Sequence, residues 1–203
     1  MMKIAVLAGT IALTPFAAMA GGYVEPAAPA PAPVAPAPAP VGYDWTGFYG
    51  GAQVEYGDVQ IDDVDDTEGT GALYGLFGGY RYDFGDFVVG AELDLNLADI
   101  DLEDAAGAPA GSIDAVHRLG IEAGFDAGPA LIYGTAGVAQ AYATVGGTDV
   151  DDTGYFFGAG MDYLVTDNVT VGAEVLQHEF EDFNNGGADV SATTFGINAA
   201  FRF

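Results

Sequence analysis

The chain has no cysteine, only four basic residues, and no uninterrupted apolar run long enough to cross a bilayer as a helix. The first absence excludes a disulfide framework and a thiolate metal site. The second, set against 30 acidic residues and a formal net charge of −26, excludes nucleic acid as a partner, because duplex binding rests on Lys and Arg neutralising phosphates. The third leaves alternating strands as the way such a chain can cross a membrane, since lipid requires every backbone polar group to be satisfied internally. Strong acidity does not make the chain disordered: half its residues are hydrophobic and aromatics are plentiful, enough apolar surface to bury for an ordered fold.

Residues 1–20 carry Lys3, an apolar run from Ile4 to Leu13, and Ala18-Met19-Ala20. That is the plan of a secretory signal ending in a small-residue cleavage site, so the mature chain is expected to start at Gly21. The apolar run falls short of the roughly 20 residues a transmembrane helix needs. Residues 21–44 read as a periplasmic tether, with seven of the ten prolines between Glu25 and Pro40. Such a segment runs as polyproline II and spans on the order of 50 Å. A passive export tail and a ligand for a cell-wall partner both fit it. Residues 45–203 form one domain.

That domain alternates with period two. From Thr193 to Phe203 the residues Thr193, Phe195, Ile197, Ala199, Phe201 and Phe203 share one face, and Thr194, Gly196, Asn198, Ala200 and Arg202 share the other. A greasy face opposite a small and polar one, closing on an aromatic, is what an outer-membrane barrel strand presents to lipid. Eight such segments are predicted, near 45–56, 70–82, 87–97, 113–125, 130–142, 154–165, 169–180 and 193–203. The third is the clearest, with Phe87, Val89, Ala91, Leu93, Leu95 and Leu97 on one side and Val88, Gly90, Glu92, Asp94 and Asn96 on the other. In the fifth, Leu131 and Tyr133 compete with Ile132, Ala136 and Val138 for the lipid face.

Connections alternate between short turns (Asp83–Asp86, Asp126–Pro129, Thr166–Asn168) and long acidic stretches near 57–69, 98–112, 143–153 and 181–192. Short turns belong on the periplasmic side and long loops outside. The fold class is therefore all-β, an eight-stranded antiparallel transmembrane β-barrel in the bacterial outer membrane. A water-soluble lipocalin-like meander has the same strand order with the faces inverted; the export signal, Phe203 and the Tyr and Phe clusters at strand ends favour the membrane form. Glycines within the strands suit a narrow barrel with a crowded lumen.

Several ordered fragments then carry a resemblance. Trp45-Thr-Gly-Phe-Tyr-Gly-Gly51, Gly78-Gly-Tyr-Arg-Tyr82 followed by Val89-Gly-Ala-Glu92, Tyr133-Gly-Thr-Ala-Gly-Val138, Gly158-Ala-Gly-Met-Asp-Tyr163 with Thr166-Asp-Asn168, and Phe201-Arg-Phe203 together resemble alphaproteobacterial porin-like outer-membrane proteins of the OmpA-type and opacity-type barrel superfamily. The resemblance implies an abundant envelope protein, in many cases without defined catalysis. It also implies that Phe201 and Phe203 form the signal read by the barrel-assembly machinery. The chain is expected to depart from the wider OmpA type in lacking a C-terminal cell-wall-binding domain.

By parity Arg81, Arg118 and Arg202 point inward, as do Glu55, Glu92, Asp94, Asp114, Glu122, Asp162 and Glu174. Eight strands enclose a lumen that side chains just fill, and buried charges must be paired. Arg81, Arg118, Arg202, Glu92, Asp94, Glu122, Asp162 and Glu174 are therefore the expected lumen charge network, with Arg118 among Glu92, Asp94, Glu122 and Glu174. This is either a salt-bridged plug or, given the excess of carboxylates, a narrow cation-preferring diffusion channel. The acidic stretches (Asp62, Asp63, Asp65, Asp66, Glu68; Asp99, Asp101, Glu103, Asp104; Asp149, Asp151, Asp152) reproduce no calcium-loop spacing. They read as a solvated acidic surface, with loose divalent bridging to lipopolysaccharide as a second reading. His117, His178, Ser112 and Ser191 form no catalytic motif. The expectation is a monomeric, non-enzymatic protein of envelope structure and surface properties, with no cofactor or resident metal, whose partners are outer-membrane lipid, lipopolysaccharide and the assembly machinery.

Overall fold

Alternation and tight turns order these segments into one meander. A computed structural model describes residues 43–62, 67–181, 183 and 189–203; the expected leader, the tether up to residue 42, and Asp63, Asp65 and Asp66 lie outside the described residues. The strands are β1 (Gly47–Asp62), β2 (Thr67–Asp83), β3 (Phe87–Glu103), β4 (Pro109–Asp126), β5 (Ala130–Val145), β6 (Thr148–Thr166), β7 (Val169–Phe180) and β8 (Asp189–Arg202). Each pairs antiparallel with its neighbour, and β1 closes on β8 in a register running from Tyr49 opposite Arg202 to Asp62 opposite Asp189. Closure leaves no strand edge, which is the condition for placing a sheet in lipid.

The short turns are held by side chains acting on the backbone. The Gly85 amide donates to Asp83 Oδ1 and the Gly128 amide to Asp126 Oδ1, both at 2.7 Å; these are Asx turns, and both glycines have the positive φ the geometry requires. In the third turn Thr166 Oγ1 accepts from the Val169 amide at 3.1 Å. These turns mark the periplasmic end.

At the opposite end the strands run further than predicted. Much of 57–69, 98–112 and 143–153 is strand, and the β5–β6 connection is only Gly146-Gly147, both at positive φ, the backbone of a tight hairpin. The reason for the short reading is that polarity inverts part-way up each strand. Along β3, Leu93, Leu95 and Leu97 face outward; further up, Asp99, Asp101 and Glu103 take the outward positions and Ile100 and Leu102 are buried inside. Along β1, outward Val54 and Tyr56 give way to outward Asp58 and Gln60, with Val59 buried. The lower barrel thus has the membrane pattern and the upper barrel the pattern of a water-soluble one.

Outward side chains mark the lipid-facing band. Tyr82 and Tyr74 on β2 lie eight residues apart, about 27 Å along the strand and about 20 Å along the axis at a tilt of about 40°, with Leu76 exposed between them. Phe48, Phe87, Phe125, Tyr163 and Phe201 are exposed toward the periplasmic end, and Tyr56, Tyr142, Tyr155 and Phe195 toward the other, as interfacial girdles require.

Two parity readings resolve. In β5, Ile132 and Val138 face lipid, whereas Leu131 and Tyr133 are buried with Trp45, Val88 and Leu164 in an apolar floor of the lumen. Asp114 does not point inward. A β-bulge between Ile113 and Ala115 lets Ile113 take the inward place and leaves Asp114 exposed, because an extra residue shifts the alternation by one.

Candidate functional site

The inward side chains stack in layers. Below all is the floor, where Trp45 is 1% exposed. The segment leading into β1 is fastened there by hydrogen bonds from the Trp45 amide to Asp83 Oδ2 (3.0 Å) and from the Asp83 amide to Thr46 Oγ1 (3.1 Å). Asp44 accepts from the Thr46 amide at 2.8 Å, and hydrogen bonds from the Thr46 side chain and backbone hold its carboxyl below the usual value.

The first charged layer follows from one lateral row of the sheet. Arg81 on β2 pairs with Gly90 on β3, and Gly90 with Glu122 on β4. With no side chain between them, the guanidinium reaches across Gly90 and grips Glu122 bidentately (Nε to Oε1 2.5 Å, Nη2 to Oε2 2.8 Å), while Nη1 donates to Asp162 Oδ2 at 2.6 Å. The Tyr49 ring lies 4.4 Å and the Tyr133 ring 5.3 Å from that cation. The Tyr49 hydroxyl lies 2.8 Å from Glu92 Oε2 and 3.2 Å from Glu122 Oε1, and Tyr133 Oη donates to Glu174 Oε2 at 3.1 Å.

The second layer lies above. Arg118, 1% exposed, faces Asp94 directly across the β3–β4 ladder. It donates to Asp94 Oδ1 at 3.2 Å and spans the lumen to Glu55, with Nη2 to Oε1 at 2.5 Å and Nη1 to Oε2 at 3.0 Å. Gln53 Nε2 closes the row on Asp94 Oδ1 (2.8 Å) and Asn96 Oδ1 (2.9 Å). In each layer a planar guanidinium fork grips one carboxylate bidentately and reaches a second, a geometry that fixes both partners.

A family model for the outer membrane protein beta-barrel domain matches residues 27–203. The chain belongs to this family. It is 30% identical over 155 residues to a 22 kDa outer membrane protein of Rhizobium leguminosarum bv. viciae, covering 74% of this chain and 70% of that protein. Among solved structures it resembles Neisserial surface protein A (20% identity, TM-score 0.54, 78% of this chain and 98% of that one) and the attachment invasion locus protein Ail of Yersinia pestis (17% identity, TM-score 0.50, 78% and 99%). At those identities the likeness is of fold. The chain is an outer-membrane β-barrel protein.

Within this family member the network differs from expectation in its wiring. Arg118 bonds Glu55 and Asp94, whereas Glu122 is held by Arg81, Glu92 lies at the Tyr49 hydroxyl, and Glu174 at that of Tyr133. Parity sets the face but not the partner, because Arg118 reaches across the lumen to a strand that is not its neighbour. Arg202 stays out of both layers: it donates through Nη2 to the Asp44 carbonyl and lies 5.1 Å from the Trp45 ring, at the periplasmic mouth. Tyr49, Tyr133, Gln53 and Trp45 were not singled out in the sequence. Trp45, Tyr49 and Gln53 share the parity of inward Glu55, which was their signal, whereas Tyr133 lies on a strand apolar on both faces and had none. Phe201 and Phe203 are exposed and lie 5.3 Å apart edge to face.

The remaining chemistry is dispersed. His117 packs against Tyr142 on the outer wall, 5.3 Å between ring centres, and Ser112 Oγ donates to Asp114. His178 is inside, stacked on Phe156. No hydrogen bond joins either histidine to either serine, and no cluster of metal-ligating side chains occurs, among the described residues.

Proposed function

We propose that this protein is a closed structural barrel that contributes to the envelope's mechanical integrity and surface charge, with no catalytic role. The observation that carries this reading is the pair of ion-paired layers, Arg81 with Glu122 and Asp162, and Arg118 with Glu55 and Asp94, set above the buried Trp45. Together they fill the cross-section an eight-stranded wall leaves. The exposed Glu68, Asp101, Glu103, Asp149 and Asp151 form an acidic collar. That collar meets lipopolysaccharide through loosely held divalent ions, the outward band meets lipid, and the C-terminal aromatics Phe201 and Phe203 are read by the assembly machinery. The barrel works as a monomer.

Refolded into a planar bilayer, the protein should be electrically silent across a range of salt concentrations. A second reading, a cation-preferring diffusion channel, is favoured by the lumen's excess of carboxylates (Glu55, Glu92, Asp94, Glu122, Asp162 and Glu174 against Arg81 and Arg118). Steady cation-selective steps abolished by Glu92→Gln with Asp94→Asn would establish that reading instead. Cells carrying His178→Ala should show unaltered lipid A; a changed lipid A pattern would reinstate an enzyme.

A further inference from the structure

Above the charged layers the lumen turns apolar. Val59, Leu73, Ile100, Ile113, Val116 and Phe180 point inward and surround a cavity of about 250 Å³. Small side chains on one wall, Ala141 and Ala143 of β5, leave the space. The lining continues to Val145 beside the Gly146-Gly147 turn, where the side chain is 47% exposed, so the cavity reaches the outer rim.

Two polar side chains stand in this lining, Thr194, whose hydroxyl is engaged by Glu55, and His178. His178 is 2% exposed, and neither ring nitrogen has a hydrogen-bond partner of good geometry among the described residues, although the Ala192 backbone lies near enough to act on the ring. A buried imidazole offers a donor and an acceptor when neutral, and leaving both unmade is costly. Three rings, His178, Phe180 and Phe183, line the space.

We propose that this cavity binds a small neutral aromatic alcohol, with its rings among the apolar side chains and its hydroxyl on His178. Size, polarity and charge each bear on that choice. An apolar cavity of about 150 Å³ holds benzene, so this one admits a two-ring molecule. Anions are disfavoured at both ends, by the acidic collar above and by the carboxylates of Glu55 and Asp94 below. A cation would lose its hydration with no carboxylate in the lining to replace it. A single hydroxyl both donates and accepts and so matches the one unpartnered polar side chain of the lining.

The test titrates 1-naphthol, followed by its own fluorescence, into the protein in lipid nanodiscs, with naphthalene as the hydroxyl-free comparator and empty nanodiscs as the partition control. We expect a saturable component absent from empty nanodiscs and weakened at least tenfold by Ala141→Phe, which fills the cavity. His178→Phe should weaken naphthol roughly five- to tenfold and leave naphthalene unchanged. Should Ala141→Phe fail to give the heat-modifiable folded band, Ala143→Leu narrows the same wall with less bulk. Uptake that is linear in every sample, or saturable binding that survives both wall variants, would overturn the cavity as the site. Equal losses of naphthol and naphthalene in His178→Phe would overturn the hydroxyl anchor.

Discussion

Replacing Arg118 by Met tests whether the lumen is a dry, paired plug. The guanidinium donates three hydrogen bonds, two to Glu55 and one to Asp94, from a position 1% exposed. Met preserves much of the stem's volume and removes the charge, so Glu55 loses its fork while Asp94 keeps Gln53 at 2.8 Å. Breaking a buried pair from one side costs about 3–5 kcal/mol. With a urea slope of about 2 kcal/mol per molar, the unfolding midpoint in lipid vesicles should fall by about 1.5–2.5 M. The chain's single tryptophan, Trp45, is buried at the lumen floor and reports unfolding by its fluorescence. The double variant Arg118→Met with Glu55→Met should recover most of the loss, since replacing both members of a buried pair by apolar groups is often neutral or better. A single-variant shift below about 0.3 M would mean that water already solvates these groups, and the plug argument would fail. A double variant as unstable as the single would assign the loss to packing instead of charge.

Two further substitutions probe other parts of the fold. Gly90→Ala places a Cβ 2.9 Å from Glu122 Cγ, in the row across which Arg81 reaches. Overpacking of this kind costs about 1–3 kcal/mol, and the same urea assay should show a lowered midpoint; an unchanged midpoint would mean that the row has slack. Ile121→Arg puts a cation on an outward position that is 69% exposed, near the middle of the lipid-facing band. It should cost about 2–4 kcal/mol in bilayers, and an unaltered unfolding curve would contradict the bilayer placement.

The lower barrel was legible because lipid outside and charge inside give a clean two-residue period, as in Phe87 to Leu97. Three things were not. Polarity inverts above the membrane, so Asp58, Val59 and Gln60 read as loop while continuing β1. The single extra residue at Asp114 reverses parity, and a bulge leaves no compositional mark. Leu131 and Tyr133 belong to an apolar floor that makes β5 greasy on both faces. The charged residues were readable as a set, but pairing across the lumen depends on stagger between strands that are distant in sequence, as with Glu55 and Arg118.

The apolar upper lumen has a consequence for permeation that is independent of the salt bridges. An ion entering from outside must first pass a segment walled by Val59, Leu73, Ile100, Val116 and Phe180, where only His178 and the hydroxyl of Thr194 offer polar atoms in place of its hydration shell. Narrow apolar segments of this kind shed water and act as barriers. The barrel therefore carries two resistances in series, an oily one above and an ionic one below. Dissolving the lower by mutation leaves the upper in place, so variants that loosen only the arginine layers should lose stability long before they gain conductance.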